Sequence, residues 1–113
     1  MNFQVSLAGA AARLHQQTPQ RFTTVMKNGS MSVEYYAPLG VDLQTPHVQD
    51  ELYVIIRGSG LFYRDGHRVA FGPGDVLFVP AGMEHRFEQF SDDFATWVIF
   101  YGPSGGEVPP AAR

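Results

Sequence analysis

The sequence predicts an all-β protein, an antiparallel β-barrel or jelly roll with one short N-terminal helix. About eight or nine short apolar segments follow one another between glycines, prolines and asparagines, and only one segment has the composition of a helix. The length of 113 residues fits one domain. We therefore expect a single domain over residues 1–113, with an N-terminal strand and helix arm (1–19), a barrel (20–102) and a flexible tail (103–113).

The helix is expected directly after Ser6, because serine favours the N-cap position. The stretch LAGAAARLHQQ that follows is rich in good helix formers and ends before Thr18-Pro19. The next two segments, RFTTVMK and MSVEYYA, flank Asn28-Gly29. This residue pair suits a hairpin turn with positive φ at both central positions, so the first two strands are predicted to form a β-hairpin.

The remaining strands follow in the second part of the chain. ELYVIIR passes through Gly58-Ser59-Gly60 into LFYR, and Asp65-Gly66 turns the chain into HRVAF, which predicts a meander. The segments DVLFVP, HRFEQF and FATWVIFY complete the set, with glycine and proline at 72–74 and 80–82 marking the turns.

Composition excludes several classes of partner and site. The net charge is −3, and the 8 basic and 11 acidic residues are scattered, so a nucleic-acid partner is not expected. The sequence contains no cysteine, which leaves His, Asp and Glu as the available metal ligands. The N-terminus lacks the pattern of a signal peptide, and no run approaches the ~20 apolar residues of a membrane span. These features favour a cytoplasmic protein without a membrane partner.

Side-chain alternation places one histidine and one acid on inward faces. In EHRFEQ, His85 and Phe87 fall on the face opposite Arg86, so His85 is predicted to point inward. Glu51 shares its face with Tyr53, and its carboxylate also lies inside if that face lines the barrel. An unpaired carboxylate would be costly to bury there, and a bound metal ion would remove that cost.

His47 precedes Glu51 by four residues. In a straight strand this spacing would separate the two side chains by roughly 13 Å, too far to share an ion bound at about 2.1 Å. Pro46 and the polar residues that follow make a turn plausible, with His47 closing one strand and Glu51 opening the next. A shared site therefore requires the chain to turn through residues 48–50.

Two segments resemble the signature motifs of the cupin family. GVDLQTPHVQDELYVIIRG (Gly40–Gly58) is similar to the first motif, and GDVLFVPAGMEHRFEQ (Gly74–Gln89) is similar to the second. They occur in the family's order with a predicted hairpin between them. Two positions depart from the pattern: the family's first histidine falls on Thr45, and the asparagine that often closes the second motif is Gln89.

The resemblance implies a cupin-type β-barrel with one divalent metal ion held by His47, Glu51 and His85. Zinc or iron is the expected metal, with manganese or nickel as alternatives, because two histidines and one carboxylate serve both non-haem Fe(II) and zinc sites. The departure at Thr45 leaves open whether Thr45, Gln49 or water completes the metal shell.

The resemblance also suggests a class of function. Small single-domain cupins include polyketide-pathway proteins of the tetracenomycin synthesis type, dioxygenases and sugar isomerases. We therefore expect a metal-dependent cyclase, isomerase or dioxygenase that acts on a small apolar or aromatic, polyketide-like molecule. The alternative is a non-catalytic cupin, in which the metal tethers a small ligand or stiffens the barrel.

Several other side chains have expected roles. Tyr35 or Tyr53 could provide an acid or base, and Arg57 either orients an anionic substrate or lies on the surface. Asp50 is expected in the turn, with a hydrogen bond to His47 as a further possibility. An apolar interior around the ion is expected from a set of aromatic residues: Tyr35, Tyr53, Phe62, Phe78, Phe87, Trp97 and Tyr101.

The two remaining histidines are expected on the protein surface, and the N-terminal segment is expected in a contact between two chains. His15 and His67 are expected to be surface residues, because no other candidate ligand accompanies them. The segment MNFQVSL is apolar enough to pair with a neighbouring chain's sheet, as in small cupins that dimerise through N-terminal strands. We therefore expect a homodimer.

Overall fold

The computed structural model describes residues 3–15 and 21–108, and these form one short helix and eight strands. The predicted fold class, mostly antiparallel β-structure with one N-terminal helix, is confirmed. The elements in chain order are α1 Leu7–His15, β1 Phe22–Asn28, β2 Met31–Tyr36, β3 Asp50–Arg57, β4 Gly60–Arg64, β5 His67–Phe71, β6 Val76–Val79, β7 His85–Glu88 and β8 Ala95–Tyr101.

The strands form two antiparallel sheets. One has the order β1-β2-β8-β3-β6, and the other has the order β5-β4-β7. The strand pairings among the described residues do not join the two sheets into a closed barrel, so the architecture is that of the jelly roll. Strands that are distant in the sequence are neighbours, since β8 pairs with both β2 and β3.

The main core lies between the two sheets and is rich in aromatic rings. Phe87 packs edge-on against Tyr53 at a ring-centroid distance of 4.8 Å. The inward positions predicted by alternation for Tyr53 and Phe87 are confirmed. Both sheets and the connection before β8 contribute buried residues to this core, which are Tyr36, Tyr53, Ile55, Phe62, Phe71, Val79, Phe87, Phe94, Val98 and Phe100.

A second apolar cluster lies under helix α1, on the outer face of the larger sheet. Ala10 and Leu14 of the helix pack there with Tyr35, Ala95 and the partly buried Trp97. The expectation that Tyr35 and Trp97 fill the interior around the ion is therefore wrong. Along β2, Tyr36 points into the core between the sheets, and Tyr35 therefore points to the opposite side. Nothing in the local sequence pattern indicates that a helix covers that side.

The expectation for Phe78 is also wrong, because this side chain is 43% exposed. It follows the partly buried Leu77 and precedes the buried Val79, both of which belong to the core between the sheets. Alternation along β6 therefore turns Phe78 outward.

The helix begins as predicted. The backbone N–H of Gly9 donates to Ser6 Oγ at 3.0 Å, which is the N-cap hydrogen bond. The described helix ends at His15. The expected continuation through Gln16-Gln17 to Thr18-Pro19 lies outside the described residues.

The first hairpin differs by one position from the prediction. Asn28 pairs with Met31 as the last rung of the ladder, so the two turn residues are Gly29 and Ser30. Gly29 has φ +58°, whereas Asn28 and Ser30 do not have positive φ, which matches the turn type that needs glycine only at its first central position. The geometry with positive φ at both centres occurs instead at Asp65-Gly66, with φ values of 48° and 86°.

Helix α1 has 9 residues. Within residues 3–15 and 21–108, no helix is long and apolar enough to cross a membrane.

Candidate metal centre

Strands β3 and β7 bring the inward acid and the inward histidine together. Glu51 is the second residue of β3 and is 1% exposed, and His85 is the first residue of β7 and is 3% exposed. Glu51 Oε1 lies 2.9 Å from His85 Nε2. Alternation therefore predicted the direction of both side chains correctly, although they belong to different sheets.

His47 reaches the same place from the loop that precedes β3. Its ring lies against His85 and Phe100, with centroid distances of 5.6 Å and 4.8 Å. The backbone carbonyl of His47 accepts a hydrogen bond from Gly82 N at 2.8 Å, which ties this loop to the turn before β7. The turn that a shared site requires is present, and one ligand atom from each of His47, Glu51 and His85 lies within 4.8 Å of the others.

Hydrogen bonds fix the tautomer of His85 but leave the atoms of His85 and Glu51 that face each other without other partners. His85 Nδ1 lies 2.9 Å from the carbonyl oxygen of Met83, and because a carbonyl only accepts, Nδ1 carries the proton. In the neutral ring, Nε2 then presents a lone pair toward the Glu51 carboxylate. Among the described residues, neither Glu51 oxygen nor His85 Nε2 has a further hydrogen-bond partner beyond their own 2.9 Å contact.

The pKa values of the two histidines shift in opposite directions. Burial lowers the pKa of His85, but the neighbouring Glu51 carboxylate and the Met83 carbonyl outweigh it and leave the pKa above its usual value. Burial also lowers the pKa of His47, where Glu51 opposes the effect only in part. His47 is therefore neutral at neutral pH, the state in which imidazole binds a metal.

The three residues fit a divalent cation. When the His85 ring is neutral, its Nε2 lone pair and the Glu51 carboxylate are two facing acceptors that a divalent cation would stabilise, and the Met83 carbonyl orients the imidazole in the way typical of metal-bound histidines. Ligand atoms on one ion bound at about 2.1 Å lie within about 4.2 Å of each other. The 4.8 Å cluster would need only a small contraction to reach that size.

A polar network beside the cluster was not predicted from the sequence. Asp42 is 7% exposed and accepts hydrogen bonds from Tyr36 OH at 2.5 Å and from the backbone N–H of Phe87 at 2.8 Å. It also accepts from the side-chain amide of Gln44 at 2.8 Å, and Gln44 Oε1 accepts from Tyr53 OH at 2.9 Å. Both Asp42 and Gln44 lie in the loop between β2 and β3, where no alternation predicts side-chain direction.

Gln49, considered as a further metal ligand, and Asp50, expected in the turn before β3, both make hydrogen bonds elsewhere. Gln49 donates through its amide to the carbonyls of Ser30 and Gly102 at 2.8 Å and 2.9 Å, away from the cluster. Asp50 is buried and accepts hydrogen bonds from Ala81 N at 2.9 Å and from Glu107 N at 2.8 Å. Its described hydrogen bonds do not include one with the ring of His47. Asp50 therefore ties β3 to the 80–82 turn and to the segment after β8.

A cavity of about 380 Å³ opens beside His47. This volume lies within the range of small-molecule sites, which is about 300–1,000 Å³. Its wall is largely apolar and also includes Thr45, Glu34 and Arg21. Burial and the nearby Glu51 charge raise the pKa of Glu34.

Tyr53 and Tyr35, the expected acid or base candidates, have separate environments. Tyr53 is fully buried beside the candidate ligand cluster, and burial together with the Glu51 charge raises its pKa well above the usual value. Tyr35 lies under the helix and accepts a hydrogen bond from Arg57 at 2.8 Å, so neither Tyr35 nor Arg57 lines the cavity beside His47.

The two remaining histidines lie apart from the cluster. His15 at the end of α1 and His67 at the start of β5 are both exposed, so the surface positions expected for them are confirmed.

Comparison with known proteins agrees with this fold. Residues 32–101 match the family described as Cupin domain. An uncharacterized protein from Streptomyces coelicolor is 35% identical over 80 residues, which cover 69% of this chain and 76% of that protein. A Cupin 2 conserved barrel domain protein from Salinispora arenicola has a crystal structure that matches with a TM-score of 0.67 at 21% identity, covering 90% of this chain and 89% of that one.

The similarity to a third protein covers a shorter stretch of the chain. An acireductone dioxygenase from Rhodopseudomonas palustris is 47% identical over 45 residues, which cover 36% of this chain and 27% of the enzyme. The match therefore spans about a quarter of that enzyme's length. The family match, the jelly roll and the long similarity to the Streptomyces protein together lead to one conclusion: the chain belongs to the cupin domain family.

Proposed function

We propose that the chain binds one divalent metal ion through His47, Glu51 and His85, and that the bound metal acts on a small, largely apolar molecule held in the adjoining cavity. The observation that carries the proposal is the buried Glu51 carboxylate facing the unpartnered His85 Nε2 at 2.9 Å. With neither a proton on His85 Nε2 nor a metal ion between the two groups, these atoms would be costly to bury at 1% and 3% exposure. The donors are nitrogen and oxygen, which suits zinc or iron, with manganese or nickel as alternatives.

The reaction class follows from what a metal in this place supplies. A bound divalent ion acts as a Lewis acid toward a carbonyl or phenolate oxygen or, if it is iron, supports reactions with dioxygen. The protein's own residues hold and shield the site. The Met83 carbonyl orients the His85 ring, and the aromatic residues of the core shield the site from water. His47 lines the adjoining cavity and so connects the site with the space for a ligand.

A metal-dependent enzyme is therefore the favoured function, as a cyclase, isomerase or dioxygenase. The short match to an acireductone dioxygenase supports an enzyme with oxygen chemistry. The largely apolar cavity wall supports a small apolar or aromatic substrate, and a polyketide-like molecule of the kind handled by tetracenomycin-type proteins is one such candidate.

The second candidate function is non-catalytic, with the metal as a ligand tether or a structural ion. The burial of Glu51 and His85 favours it, because structural metal sites are closed. The two functions differ in whether the bound metal keeps an exchangeable water molecule. Water-proton relaxation of the Mn²⁺-loaded protein should be enhanced for an open site, and the absence of enhancement would favour the structural ion.

Ligand binding tests the favoured function. Isothermal titration calorimetry with a panel of small phenols and enols should detect binding to metal-loaded protein and at least about tenfold weaker binding after chelation, because the metal contacts the ligand oxygen. His47→Ala should lose the metal-dependent part, whereas the matched variant His67→Ala, exposed on the surface, should retain it. Equal binding by loaded and metal-free protein would contradict a metal-centred function.

A further inference from the structure

The side chain of Gln44 lies beside His47, one of the three candidate ligands, at a position that no sequence motif assigns. Its Oε1 lies 3.3 Å from His47 Nε2 and accepts a hydrogen bond from Tyr53 OH at 2.9 Å. Gln44 and His47 both line the cavity. The amide oxygen thus lies between His47 and the space available to a ligand.

Asp42 determines which end of the Gln44 amide faces the cluster. Asp42 Oδ2 lies 2.8 Å from one end of that amide and belongs to a carboxylate that already accepts from Tyr36 OH and from Phe87 N. An ionised carboxylate only accepts, so the end that faces Asp42 must be the NH₂ group. The oxygen of Gln44 is therefore held toward Tyr53 and His47.

The distance between Gln44 Oε1 and His47 Nε2 suits two donors on one ion. Two atoms bound at about 2.1 Å to the same tetrahedral or octahedral ion are about 3.0–3.4 Å apart, and the observed separation is 3.3 Å. An amide oxygen has lone pairs but no proton to donate. Once His47 Nε2 binds a metal, the same cation can attract both atoms.

The alternatives for the remaining metal position are less well placed. Gln49 uses its amide to bind two backbone carbonyls elsewhere. Thr45 is exposed and has no described hydrogen bond that fixes its hydroxyl group. Of these three side chains, Gln44 alone has its oxygen held in place by buried partners, Asp42 and Tyr53.

We propose that Gln44 Oε1 is a fourth protein ligand of the metal, held in place by Asp42, and that it compensates for the threonine at position 45. This inference rests on the proposed function, because it needs a metal at His47, Glu51 and His85. The neutral amide leaves Glu51 as the one anionic donor among the four ligands.

Metal titration of Gln44 variants tests the inference. Gln44→Leu keeps the approximate volume and removes the oxygen, and Gln44→Ala provides a second variant if the first folds poorly. We expect each to bind Co²⁺ and Zn²⁺ at least about tenfold more weakly than the unaltered protein, with a changed Co²⁺ absorption spectrum because one donor is lost. The matched control Gln49→Leu removes an amide that points elsewhere and should leave both readouts unchanged.

The outcomes separate this inference from the proposed function. If the unaltered protein binds neither metal, the proposed function fails and the ligand assignment with it. If it binds them and the Gln44 variants show the same affinity, the metal site stands and Gln44 is not a ligand. Weaker binding with an unchanged Co²⁺ spectrum would also overturn direct ligation, because Gln44 would then act only by positioning His47.

Discussion

Asp42 is the residue on which the polar interior depends most. Its carboxylate accepts hydrogen bonds from Tyr36 OH, from Phe87 N, and from the backbone and side chain of Gln44. Asp42→Ala should lower the free energy of unfolding by about 2–4 kcal/mol, because it leaves buried donors without an acceptor. Urea denaturation of the metal-free protein would measure this loss.

Asp92 provides the control for that prediction, because it is an exposed aspartate in the connection before β8. Asp92→Ala should change the free energy of unfolding by no more than about 0.5 kcal/mol. Equal stability of the Asp42 and Asp92 variants would show that the network around Asp42 contributes nothing to folding.

The candidate site was predictable from the sequence only where side chains lie on strands. Period-2 alternation gave the inward direction of Glu51 and His85, and it needs no knowledge of the partner strand. Asp42 and Gln44 lie in the loop before β3, where the backbone has no fixed period. Their directions depend on contacts with residues such as Phe87 and Tyr53, which a local pattern does not contain.

Among the structural elements, the connection between β3 and β4 requires glycine. Gly58 has φ +88°, and a Cβ there would lie 2.6 Å from the Cα of Phe94. Gly58→Ala should lower the free energy of unfolding by about 2–4 kcal/mol, because it adds a left-handed backbone penalty to a clash with backbone atoms. Thermal or urea unfolding would measure the effect.

Gly72 is the matched position for this test. It lacks positive φ, and a Cβ there would meet nothing within 4 Å. Gly72→Ala should be neutral or stabilise the protein by up to about 1 kcal/mol, since alanine restricts the unfolded chain. A similar loss in both variants would contradict the specific role of Gly58.

The elements themselves were more predictable than their arrangement. Glycine and proline mark the strand ends, so the helix and all eight described strands were located from composition and turns. The pairing of β8 with β2 and β3 was not accessible, because it depends on contacts between segments about 40 residues or more apart. The one-residue difference at the first hairpin arose because Asn28 and Gly29 both suit turns, and the strand register decided between them.

For the molecule as a whole, we predict a homodimer. Strand β1 forms one edge of the larger sheet, and Phe3 in the segment before the helix is 93% exposed. Sedimentation at micromolar concentration should give twice the chain mass, because an apolar N-terminal segment can pair with a neighbouring sheet edge.

Two variants give this prediction a control. Phe3→Asp should shift the protein toward the monomer, and Val108→Asp, at a position that is 87% exposed near the other end of the described chain, should not. A monomer mass for the unaltered protein would contradict the dimer.

Metal content decides whether the three candidate ligands form a metal centre. Elemental analysis after reconstitution should give about one divalent metal ion per chain in the unaltered protein, a sharp loss in His85→Ala, and no loss in His67→Ala. Circular dichroism would establish that both variants are folded. The absence of metal from the unaltered protein after reconstitution, or equal metal content in all three proteins, would contradict a metal centre at His47, Glu51 and His85.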